Sequence, residues 1–110
     1  MSQERLTRLL NFLKEDPEDP FTLYAIATEY AKSDLSQARQ YYEKLLTEQP
    51  NYVATYYHAA KLYQANGETT LAETTYQKGI TIAQQQQDHL ALRELQNAYN
   101  EFLFEEEEED

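Results

Sequence analysis

The chain has no cysteine, which removes a disulfide framework and a thiolate metal site together and leaves the redox compartment open. Two glycines are too few for a glycine-rich phosphate loop. No run of 18 apolar residues occurs, so no membrane-spanning helix is expected. The opening MSQERLTRLLNFLKE mixes charges with leucines where a secretory signal would be uniformly apolar, and the expected location is cytoplasmic. Basic residues are scarce as well, nine against twenty acids, for a formal net charge of −11. An acidic protein repels phosphate backbones and anionic headgroups, which argues against nucleic acid and membranes as partners.

Catalytic groups are equally thin. The serines are Ser2, Ser33 and Ser36, all at or near expected helix starts, where capping accounts for them. His58 and His89 have no ligand partner at helical spacing, so no metal site is expected. No acid, base and nucleophile can be grouped, and the reading is a non-enzyme without cofactors.

What the chain does have is helical periodicity and ten tyrosines. With three prolines and two glycines, little interrupts a helix. Leu6, Leu9, Leu10 and Leu13 stripe a first helix over about 3–14, with Ser2 as its candidate cap and Phe12 at the margin of the stripe. Asp16-Pro17 and Asp19-Pro20 then break the chain, and Asp19 followed by Pro20 opens a second helix, roughly 20–32, through Leu23, Ile26, Ala27 and Tyr30. Ser33 or Asp34 caps a third, carrying Leu35, Ala38, Tyr41, Tyr42, Leu45 and Leu46 and stopping before Pro50. Asn51 is the expected cap of a fourth, with Tyr52, Tyr56, Ala59, Ala60 and Tyr63 inward, closed at Gly67 in the left-handed conformation. A fifth covers about 69–83 through Leu71, Ala72, Tyr76 and Gly79. Four glutamines, 84–87, continue it or link it to a sixth helix, capped by Asp88 and striped by Leu92, Leu95, Tyr99 and Phe102.

These stripes repeat. Ala38, Tyr42 and Leu45 return 34 residues later as Ala72, Tyr76 and Gly79, and Leu23, Ala27 and Tyr30 return after 33 as Tyr56, Ala60 and Tyr63. A period of this length marks stacked helical hairpins. The pattern of small residue and aromatic down paired helices, with Pro50 after the first pair, resembles the tetratricopeptide repeat. The resemblance implies an all-α fold: about six helices, as antiparallel hairpins stacked into a short right-handed solenoid. The expected organisation is one domain over 1–104, with a leading half-repeat at 3–16, two full repeats at about 20–50 and 51–83, and a capping helix at 88–104. The six acids of 105–110 are expected to be a disordered tail, repelled from one another and from the negative helix end.

The resemblance further implies that the first helix of each hairpin lines a concave, partner-binding face. Those positions are Phe21, Tyr24, Thr28 and Lys32 in one repeat, and Ala54, Tyr57, Lys61 and Gln64 in the next. They form an aromatic, mildly basic surface suited to a protein or peptide segment with apolar and acidic side chains. The clamp of basic residues and Asn that some members use for a terminal carboxylate is missing, since Tyr24, Thr28 and His58 stand in its place. The expected function is therefore a protein-binding scaffold. Self-association or assembly through the C-terminal helix, up to a homodimer, is the alternative, and an acidic decoy for a basic partner is a weaker one.

Overall fold

The computed structural model describes residues 2–109, in which six α-helices and no strand occur. They are α1 (Ser2–Glu15), α2 (Pro20–Tyr30), α3 (Leu35–Glu48), α4 (Ala54–Ala65), α5 (Thr69–Gln86) and α6 (His89–Glu109). The packing forms two compact units, Met1–Tyr52 and Val53–Asp110.

In the first unit α2 and α3 form a hairpin and α1 packs on α2. Asp19 starts α2 as read: its carboxylate accepts from the Thr22 amide at 3.0 Å and the Thr22 hydroxyl at 2.6 Å, while Pro20 occupies a position that needs no N–H. Of the two candidates for α3, Asp34 is the cap, accepting from the Gln37 amide at 3.2 Å. The hairpin interior is Leu23, Ile26, Ala27, Ala38, Tyr42 and Leu45, with the two alanines bringing the helices close. Leu9 joins Ala25 and Ile26, flanked by Leu6, Leu10, Leu13, Tyr30 and Tyr41. Leu35 was placed on the buried stripe but is exposed, because α3 begins at that residue and its side chain lies outside the hairpin. Ser2 was read as a cap and instead already lies within α1.

In the second unit α4 and α5 make the hairpin and α6 packs on both. Asn51 does not cap α4. A turn closed by the Tyr52 amide on the Gln49 carbonyl at 3.0 Å delays the helix, and Val53, which has no side-chain acceptor, takes the cap position. Tyr52 accordingly lies before the helix and not on its stripe. Leu71, read as inward, is exposed.

Two helix ends in this unit use the same device. At the end of α4, Gly67 has φ 76°, its amide bonds the Gln64 carbonyl at 3.1 Å, and the Glu68 amide bonds the Tyr63 carbonyl at 2.9 Å. At the end of α5, Gln87 has φ 57°, its amide reaches the Gln84 carbonyl at 3.1 Å, and the Asp88 amide reaches the Ala83 carbonyl at 3.0 Å. The glutamine tract is thus helix through Gln86, three residues beyond the expected end, and its last member makes the left-handed turn. Asp88 caps α6 by accepting from the Ala91 amide at 3.0 Å.

Tyr56, Ala59, Ala60, Tyr63, Ala72, Tyr76, Leu95, Ala98 and Phe102 fill the core of this unit. Tyr76, Tyr99 and Phe102 form a mutual aromatic cluster with centroids 5.6 to 6.2 Å apart, so Phe102 is covered by its own unit and needs no shielding by the acidic run. That run is helical to Glu109 where the sequence reading ended the helix at 104. Glutamate propagates a helix well, and the Gln64 side-chain amide donates to Glu105 at 2.8 Å, holding the first of the acids in register.

Candidate protein-binding surface

In the first unit the candidate face begins at the second residue of α2. Phe21 is 59% exposed there, since the helix start leaves no neighbour above it. Tyr24, one turn on, is half-buried, its ring 5.8 Å from that of Tyr52 and tilted by 59°. Burial pushes the Tyr52 phenol up, with Tyr24 and Asp19 adding to the effect, so the Tyr52 ring stays neutral near pH 7. Phe21, Tyr24 and Tyr52 all belong to this unit; sequence reasoning had assigned Tyr52 to a buried stripe, and only the turn after Pro50 reveals its place beside Tyr24.

Thr28 and Lys32 do not extend that patch. The Thr28 hydroxyl donates to the Tyr24 carbonyl at 2.9 Å and lies 3.4 Å from the Tyr42 hydroxyl, tying α2 to α3. Because α2 ends at Tyr30, Lys32 falls in the turn, where its ammonium pairs with Glu29 at 3.2 Å. Glu29 is only 8% exposed and is also held by the Arg5 guanidinium at 2.9 Å. Two cations thus neutralise one buried carboxylate and hold α1 to α2.

A separate cleft marks this unit, lined by Leu10, Leu13 and Pro17 with Thr7, Asn11 and Lys14. Its leucines carried a helical-core signal in the sequence, so nothing in the pattern distinguished them as cleft-lining.

In the second unit Ala54 is the first residue of α4, and Tyr57 and Lys61 follow on one face. The Lys61 ammonium stands over the Tyr57 ring, 5.8 Å from its centroid, a cation–π contact at helical i,i+4 spacing. The His58 ring meets Tyr57 edge-on at 5.3 Å. Burial lowers the His58 pKa from its ordinary value, with Glu94 opposing, so the imidazole is neutral near pH 7. Gln64 is committed within the unit: its carbonyl oxygen accepts from the Tyr76 hydroxyl at 2.7 Å while its amide holds Glu105. Of the eight sequence-derived positions, Thr28, Lys32 and Gln64 are occupied in holding their own units together, while Phe21 is exposed and Tyr24, Tyr57 and Lys61 are half-buried.

The chemistry on these faces is that of contact: aromatic edges, an aliphatic stem and an ammonium. Among the described residues no cluster of three or more His, Asp or Glu side chains is arranged to hold a metal ion, and no helix is long and apolar enough to cross a membrane.

A family model for the tetratricopeptide repeat matches residues 29–95. The solution NMR structure of a tetratricopeptide repeat domain protein from Salinibacter ruber is 44% identical to the chain, with 79% of this chain and 89% of that one covered and a TM-score of 0.74. A crystal structure of a tetratricopeptide repeat domain protein from the same organism is 43% identical, covering 77% of this chain and 96% of that one, again with a TM-score of 0.74. No curated protein matches the chain. The fold generally serves protein–protein interaction, and the proteins that carry it are generally non-enzymatic scaffolds. On the match over residues 29–95 and the identity to these structures, the chain belongs to the tetratricopeptide repeat family.

Proposed function

We propose that the chain is an adaptor that binds a protein or peptide segment through the first-helix faces of its hairpins, with Phe21 and Tyr24 on α2 and Tyr57 and Lys61 on α4 as the contact residues. The observation that carries this reading is the exposure of Phe21 beside the Tyr24–Tyr52 pair, because a large apolar side chain at the surface is stabilised by being covered. Rigid aromatic rings offer contact area at low entropic cost, and an ammonium already desolvated on one side by Tyr57 favours a carboxylate approaching from the other. The segment so recognised carries apolar side chains with an acidic neighbour.

The test compares the intact protein with Phe21→Ala and with Phe21→Ala/Tyr57→Ala/Lys61→Ala, after circular dichroism has shown equal helicity. A partner recovered from cell extract by the intact protein is purified and titrated against all three. The expected result is stepwise weakening, at least tenfold for the triple variant. Equal affinity for all three removes the first-helix faces from the function.

A further inference from the structure

Asn66 is the one asparagine of the chain with a glycine after it, since Asn11, Asn51, Asn97 and Asn100 precede Phe12, Tyr52, Ala98 and Glu101. It stands in the turn between α4 and α5, where Asn66 and Gly67 are both exposed. The pairing has a chemical consequence, because the backbone nitrogen after an asparagine is a nucleophile one ring closure away from the side-chain amide carbon. A side chain on that following residue obstructs the approach, and Gly67 has none. A Cβ built at residue 67 would meet nothing within 4 Å, so neighbouring side chains leave the approach open as well.

The reaction needs water and no other reactant. The Gly67 nitrogen bonds to the Asn66 Cγ and gives up its proton, the Cγ–Nδ2 bond breaks, and ammonia leaves carrying that proton. Water then opens the resulting succinimide. Opening at the side-chain carbonyl yields aspartate, and opening at the backbone carbonyl yields isoaspartate, whose main chain runs through the former side chain. The native turn holds the reacting atoms apart. Asn66 has φ −90° and ψ 5°, and a ψ near zero turns the next nitrogen towards the residue's own nitrogen and away from its Cβ. The Gly67 amide donates to the Gln64 carbonyl at 3.1 Å, and the Glu68 amide to the Tyr63 carbonyl at 2.9 Å. The leaving nitrogen is also held, since the Asn66 side-chain amide donates to the Glu68 carboxylate at 2.9 Å. Ring closure therefore waits on opening of this helix end.

We propose that Asn66 is a site of spontaneous conversion to isoaspartate and aspartate, and that the α4–α5 turn sets its pace, with Glu68 restraining the leaving amide. The products do not suit the turn that made them. Isoaspartate lengthens the main chain by one carbon between the carbonyls of α4 and the amides that cap them, so the two cap bonds no longer fit together. Either product also sets a new carboxylate beside that of Glu68, where an amide had donated to it. The change is one-way, and it loosens the connection between the two helices of this hairpin.

The experiment incubates three samples in buffered water: the folded chain, the chain unfolded in guanidinium chloride, and the Glu68→Ala variant. Glu68 makes no side-chain cap bond to α5, and circular dichroism verifies that the variant keeps its helices. Trypsin then releases the peptide from Leu62 to Lys78, and mass spectrometry with electron-transfer fragmentation counts asparagine, aspartate and isoaspartate at residue 66. The folded chain is expected to convert at residue 66, about tenfold more slowly than the unfolded one. Glu68→Ala is expected to convert several times faster than the intact folded chain. A folded chain that stays unconverted while the unfolded one is consumed overturns the site, and so does an unfolded chain that does not convert. Equal rates folded and unfolded overturn the control by the turn, and a Glu68→Ala variant no faster than the intact chain overturns the role of Glu68.

Discussion

Gly79 of α5 lies so close to Tyr56 of α4 that a methyl group added at residue 79 would stand 2.5 Å from the Tyr56 Cβ and 3.2 Å from a Leu95 methyl. The obstacle is the root of the tyrosine side chain, which is tied to the backbone of its own helix. Hairpin packing in the second unit is therefore set by a missing side chain.

Gly79→Ala is expected to destabilise the protein. Overpacking of this kind costs about 1–3 kcal/mol, which more than offsets the roughly 1 kcal/mol of helix propensity that alanine brings. Urea unfolding followed by circular dichroism should give a lower midpoint. A raised midpoint would mean that α4 and α5 are not so closely apposed.

Gln87→Gly is expected to stabilise. Gln87 holds a left-handed conformation at φ 57° with the same two backbone bonds that Gly67 supports at φ 76°. Relieving a Cβ in that region gains about 1 kcal/mol, seen as a thermal midpoint raised by roughly 4–8 °C. The converse change, Gly67→Gln, should lower it.

Thr55→Val and Thr75→Val separate two buried hydroxyls. The Thr55 hydroxyl has no hydrogen-bond partner, whereas that of Thr75 donates to the Leu71 carbonyl at 2.6 Å. Removing the first should raise stability by up to about 1 kcal/mol, and removing the second should lower it by a similar amount. Equal effects from the two, measured by denaturant titration, would contradict the contrast.

Alkaline pH should unfold the protein through its tyrosines. Burial, helped by Tyr57, Glu105 and Glu101, pushes the Tyr76 phenol from 10.0 to about 12. A phenol raised in the folded state is neutral in both states below pH 10, so its contribution is fully present there. It is lost as the pH climbs from 10 through about 12, where the unfolded chain ionises first. Tyr76→Phe should flatten that decline, with Tyr41, Tyr42, Tyr52, Tyr56 and Tyr99, also raised by burial, contributing to what remains. An unchanged slope in the variant would exclude Tyr76 as a source.

Most helices were legible because their stripes and caps are local. Asp19-Pro20, Asp34 and Asp88 announce helix starts through short side chains that reach the next turn, and structure and pattern agree there. What pattern missed depends on backbone geometry or on neighbours distant in sequence. The Gln49–Tyr52 turn moved the start of α4 past Asn51, and Tyr52 with it. Lys32 and Gln64 occupy outward repeat positions, yet Glu29 and Tyr76, both buried and polar, claim them. A buried carboxylate or phenol needs a partner, and sequence spacing does not say which surface residue will supply it.

The Glu29 carboxylate, shared by Arg5 and Lys32, has a consequence for motion. α1 places just one leucine, Leu9, fully in the core, and its other leucines stay partly open, so its detachment exposes less apolar surface than unfolding the hairpin does. Replacing Glu29 with Gln strips both cations of their counter-charge at once and loosens the junction. The first fourteen helical residues are then a hinged flap whose amide protons are expected to exchange with solvent well before those of α2 and α3.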